Sequence, residues 1–136
     1  MGFKFYIKVV MVLAIFHFPF HLSAQAPQGV NYQGVLRNKT GQPIKNQTVG
    51  VQISIYDSVL SRKNHYIERH SVQTNEFGLY NLVIGKGNVV LGDFDSIPWG
   101  VNNQFLEVEI DPLGGQSYSI IGSQAMYSVP YAFYAG

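Results

Sequence analysis

Val49, Val51, Ile53 and Ile55 alternate with Thr48, Gly50, Gln52 and Ser54, the clearest period-two run in the chain. That period places successive side chains on opposite faces of a strand, so one face is apolar and the other polar. Leu106, Val108 and Ile110 repeat the pattern against Phe105, Glu107 and Glu109. Further strands are predicted over Val30–Leu36, Tyr66–Gln73, Leu79–Ile84 and Gln116–Gly122. Turn residues separate them: Arg37–Pro43 with its glycine and proline, Thr74–Gly78, and Asp111–Gly115. No window carries a sustained 3.6-residue stripe. The best helical candidate is a single turn over Asp93–Ile97, closed by Pro98. Six or seven short strands at this spacing predict an all-β chain, an antiparallel β-sandwich over residues 25–128. Its inner faces should bury Val49, Val51, Ile53, Ile55, Leu82, Leu106, Val108 and Ile110, with Trp99 at the rim or inside.

The first 24 residues follow a different pattern. Lys4 and Lys8 precede an apolar run from Val9 to Phe20, broken only by His17 and Pro19, and Leu22-Ser23-Ala24 supplies a small-residue end. This is the three-part form of a secretory signal peptide, cleaved after Ala24. Cleavage after Ala26 fits the small-residue rule but would place Pro27 beside the cut. The run is short for a bilayer span, and no second run of spanning length follows, so no transmembrane anchor is expected. The expected address is outside the inner membrane: secreted, on the outer surface, or periplasmic.

Composition changes this picture mainly by exclusion. The chain has 136 residues and no cysteine, which excludes disulfides, thiolate metal sites, thiol nucleophiles and a lipid-anchored cysteine. Removing residues 1–24 leaves 136 − 24 = 112 residues, with 7 basic and 8 acidic side chains. A balance of −1 gives no basic surface for nucleic acid.

Candidate chemistry is sparse. Glu107 and Glu109 leave one face of one strand, but their neighbours Leu106, Val108 and Ile110 claim the core, so both carboxylates are expected in water. His65 and His70 are separated by an odd number of residues and should face opposite ways, so no shared metal is expected. Asp93 and Asp95, with Asp57 or Glu76, lack the dense loop of a calcium site. No serine sits in a nucleophile elbow. Gly85, Gly87 and Gly92 do not make a phosphate loop, since no helix follows, and they read as turns. No catalytic residue, metal ligand or cofactor is therefore assigned. Trp99 is the candidate stacking platform for a sugar ring, against its commoner role as a core plug. Tyr118, Tyr127, Tyr131, Phe133 and Tyr134 crowd the C-terminal end, and residues 129–136 form an aromatic, uncharged tail.

Two resemblances extend the reading. Gly41-x-Pro43-Ile44-x-Asn46-x-x-Val49 and Thr74-Asn75-x-x-Gly78-x-Tyr80-x-Leu82 resemble the carboxypeptidase-regulatory-like, transthyretin-type sandwich, which implies a prealbumin/Ig-like fold with positive φ at Gly78. Gln28 to Val35, Leu82 to Gly85, Ile97 to Gly100 and Ser128 to Ala132 resemble the N-terminal module of secreted Bacteroidetes-type surface proteins. That module often precedes collagen-like, fibre or tail-spike chaperone segments. The resemblance implies a non-catalytic structural or assembly module, a head or spacer whose partners are other segments of a longer surface protein or copies of itself. The alternative is a lectin-like adhesion module that binds glycans. Asp57-Ser58-Val59 and Asp95-Ser96-Ile97 resemble sites that such cells O-glycosylate, which makes Ser58 and Ser96 candidate acceptors.

Overall fold

The computed structural model describes residues 28–57, 61–101 and 103–126, with the backbone alone at 120, 123 and 124. The expected signal peptide, Ser58 and the tail at 129–136 lie outside the described residues. Among the described residues seven strands follow in order: β1 (Val30–Val35), β2 (Thr48–Asp57), β3 (Lys63–Gln73), β4 (Leu79–Ile84), β5 (Asn88–Leu91), β6 (Gln104–Asp111) and β7 (Ser119–Met126). They build two antiparallel sheets. One is β1–β4 and the other has the order β5-β3-β2-β6-β7. The chain is an all-β antiparallel sandwich.

β2 is the central strand because its apolar parity continues into both neighbours. Val51 pairs with His70 and Ile110, Ile53 with Glu68 and Val108, and Ile55 with Tyr66 and Leu106. Cα partners on adjacent strands share a face, so this row of side chains points inward together. Tyr80, Leu82 and Ile84 of β4 close the core from the second sheet, and Phe94 and Ile97 seal one end. All eight residues expected to be buried are buried. Each such aliphatic side chain contributes about 1.5–3 kcal/mol when fully removed from water.

Two glycines are required by geometry. A Cβ at Gly34 would stand 2.4 Å from the Tyr80 ring, so only glycine lets β1 lie close over β4. Gly78 has φ 78° in the turn between β3 and β4, where the Asn75 carboxamide oxygen accepts from the Phe77 and Leu79 amides. The expected helical turn is present as one 3-10 turn, Phe94–Ser96, capped by Asp93. β5 was not anticipated from the sequence pattern. It pairs with the edge of β3, and all four of its residues are exposed.

Candidate functional site

Tyr66, Glu68 and His70 share the inward parity of β3, so the fold carries a carboxylate into its core. Glu68 is 0% exposed. Its oxygens accept from the Tyr66 hydroxyl at 2.7 Å, the Gly85 amide at 3.0 Å and the Gly87 amide at 2.9 Å, and contact His70 Nε2 at 2.7 Å. Gly85, at φ 98°, reverses the chain after β4 so that two amides of the Gly85-Lys86-Gly87 turn face this anion. The three residues are a turn, as expected, but also an anion cradle filled by the chain's own side chain. Burial pushes the Glu68 carboxyl up. The hydrogen bonds from His70, Tyr66, Gly87 and Gly85 outweigh it and hold the group below its ordinary value. Burial, and then the hydrogen bond to Glu68, push the Tyr66 phenol well above its ordinary value.

A second network covers the opposite face of the large sheet. Arg62 Nη2 and Nη1 donate to Glu107 Oε1 and Oε2, both at 2.8 Å, and the guanidinium lies 4.2 Å over the Tyr56 ring. That ring stacks on Phe105 at 5.5 Å. Glu107 is consequently 5% exposed, which corrects the expectation that both strand carboxylates stand in water. The period chose the face correctly. It did not foresee that Arg62, just before β3, and the stacked Tyr56 and Phe105 rings roof the centre of that face. Glu109 is half-buried and accepts from Gln52 Nε2 at 2.6 Å. Gln52 Oε1 in turn accepts from Arg69 Nε at 2.9 Å, and Gln116 Oε1 accepts from Arg69 Nη1 at 2.9 Å.

A family model described as a domain of unknown function, DUF8740, matches residues 31–124. The chain belongs to this family. The match runs from within β1 to within β7, so the DUF8740 domain is the sandwich itself. No curated protein and no solved structure matches the chain.

Within this DUF8740 domain the remaining candidates are dispersed. Trp99 is 37% exposed and packs edge-on against Phe94, with ring centroids 5.6 Å apart. It is a rim plug that keeps part of its ring in water. Ser96 is exposed on the 3-10 turn, with its hydroxyl donating to Asp93 Oδ2 at 3.1 Å. Asp93 thus serves Ser96 and the Asp95 amide. His65 stands beside Asp57 at the irregularity between β2 and β3, with 3.1 Å between Nε2 and Oδ2, while His70 turns to Glu68. The sequence reading missed Glu68 and Arg69. Parity with Tyr66 would have placed Glu68 inward, but nothing in a linear pattern joins it to amides 17 and 19 residues further on.

Proposed function

We propose that this DUF8740 domain is an exported, non-catalytic structural or assembly module, a head or spacer joined to other segments of a surface protein or to copies of itself. The observation that carries the reading is that its buried carboxylates are closed on partners within the fold. A general acid or base must exchange a proton with substrate and needs a free lone pair and a pKa near the working pH. Glu68 has its oxygens filled and is held as an anion. Glu107 is occupied by Arg62, and Asp111 accepts from the Leu113 and Ser117 amides at 2.9 Å each. These groups tie strands and turns of the sandwich to one another.

Joining would use strand edges. Among the described residues, β5 and β7 border the large sheet, and β1 and β4 each keep one unpaired side. An unpaired edge is a template for another strand, and β5 offers exposed Val89, Val90 and Leu91 beside it. Sedimentation of the full-length and N-terminally processed chains across micromolar to millimolar concentration tests self-association. Reversible oligomers that Val90→Lys dissolves are expected, and a monomer throughout would remove the self-assembly arm. Hydrolytic turnover lost in Glu107→Gln, with the fold intact, would overturn the non-catalytic reading. The exposed part of Trp99 favours glycan stacking as a second reading, and glycan-array binding abolished by Trp99→Ala would promote it.

A further inference from the structure

We infer that a polar groove beside Arg69 binds a carboxylate-bearing sugar ring, with the guanidinium holding the carboxylate. The groove encloses about 310 Å³, room for a single ring. Its floor is made by β3 and β2, where Ser71 pairs with Gly50 and Arg69 stands two residues before Ser71 on the same face. Gly50 is buried and lets the loop after β6 lie close over β2 as one wall: a Cβ there would stand 2.5 Å from the Gly115 carbonyl oxygen. Gln116 and Tyr118 rise along one side, and Asn88 of β5, the Cα partner of Arg69, stands on the other.

Arg69 is what makes this groove a site. A guanidinium offers five N–H donors. Two of them go to neutral amide oxygens, Gln52 Oε1 and Gln116 Oε1, at 2.9 Å each. Gln52 is turned to present that oxygen because its own NH2 donates to Glu109. The Tyr118 ring, 5.3 Å from Arg69 Cζ, supports the plane. Among the described residues no carboxylate lies within ion-pair distance of this half-buried cation. Arg62, just before β3, shows the contrast: its fork is filled by Glu107. Arg69 is therefore oriented on three sides yet keeps its charge and three donors for an incoming anion. A planar carboxylate matches that fork bidentately. The flanking Asn88 carboxamide and Ser71 hydroxyl can exchange hydrogen bonds with ring hydroxyls, which a bare anion lacks. The site stands apart from Trp99 and does not depend on the assembly role.

Titration of the ¹⁵N-labelled chain with glucuronate, glucose and acetate tests the assignment. Saturable shifts confined to the groove are expected for glucuronate at about millimolar Kd, with glucose and acetate each at least about tenfold weaker. Asn88→Asp places a competing carboxylate beside Arg69 at an exposed position and should abolish the shifts while leaving the melting temperature unchanged. Arg69→Gln should do the same if it folds. No saturation with glucuronate, or shifts that survive Asn88→Asp, would overturn the assignment. Acetate binding as tightly as glucuronate would overturn the sugar part by showing that charge alone is read.

Discussion

Tyr66 and Tyr80 are both buried phenols, and their hydroxyls have opposite worth. Tyr66 donates to Glu68 at 2.7 Å inside the core. The Tyr80 hydroxyl is buried with no partner in full hydrogen-bonding geometry; burial pushes its pKa up, and the neighbouring Tyr32 phenol adds to the rise through its charge and a weaker hydrogen-bonding contribution. Removing a donor from a buried anion strands part of that charge, whereas removing an unsatisfied hydroxyl relieves a desolvation cost. Tyr66→Phe should therefore lower the unfolding free energy by about 1–3 kcal/mol, and Tyr80→Phe should leave it unchanged or raise it. Urea unfolding of both variants separates them, and an equal loss in the two would contradict the assignment of partners. Gly34 belongs to the same neighbourhood. Gly34→Ala drives a methyl into the Tyr80 ring and should cost about 1–3 kcal/mol by overpacking, readable in the same titrations.

At the level of elements, the roof over β2 decides what the outer face of the large sheet can be. Arg62→Ala should leave Glu107 buried without its bidentate partner and cost about 1–3 kcal/mol, less than a fully buried pair because the Arg62 side chain is 36% exposed. Double mutation with Glu107→Gln should recover part of that loss, and simple additivity in the cycle would show that the two groups do not act as a pair. β2 and β6 were legible in the sequence because each buries one parity: Val49 to Ile55 and Leu106 to Ile110 announce strand, face and core together. β3 was legible as a strand but not as a carrier of chemistry. Its inward row, Tyr66, Glu68, His70 and Val72, mixes apolar and ionisable residues, so the period does not say which side is wet. β5 was not legible, because Asn88-Val89-Val90-Leu91 has no alternation and exists as a strand only through pairing with β3. The burial of Glu107 and the orientation of Arg69 share one cause. Both are set by partners just outside the strands, 45 residues away for Arg62 before β3 and 47 for Gln116 before β7, and such contacts depend on how the folded sheet brings distant segments together.

For the whole molecule, one buried carboxylate couples the fold to pH. In the unfolded chain Glu68 titrates near the ordinary glutamate value of about 4.3. In the native sandwich its pKa lies lower, because four hydrogen bonds to the anion outweigh the burial that opposes it. A depressed native pKa means that the unfolded state binds the proton more readily, so stability rises with pH through the interval between the two values. The contribution is complete above the unfolded pKa and disappears as pH falls through the native one. Protonation also places a hydrogen on an oxygen that faces the Gly85 and Gly87 amides, so the turn between β4 and β5 loses acceptors when the charge is lost. The share of the unfolding free energy due to Glu68 should therefore stay level from neutral pH down to about 5, and decline below about 4. Glu68→Gln isolates the part due to this residue. At neutral pH it should cost about 2–4 kcal/mol, because a carboxamide cannot accept at both oxygen positions and must point its NH2 at amide donors. Below the native pKa of Glu68 the wild-type protein has also lost the anion, so the gap between the two should narrow steadily as the solution is acidified. Urea titrations of both proteins between pH 7 and pH 3 measure that gap directly. A difference that stayed constant across the range would mean that Glu68 is not held as an anion in the core, and that the Gly85-Lys86-Gly87 turn is organised by something other than its charge.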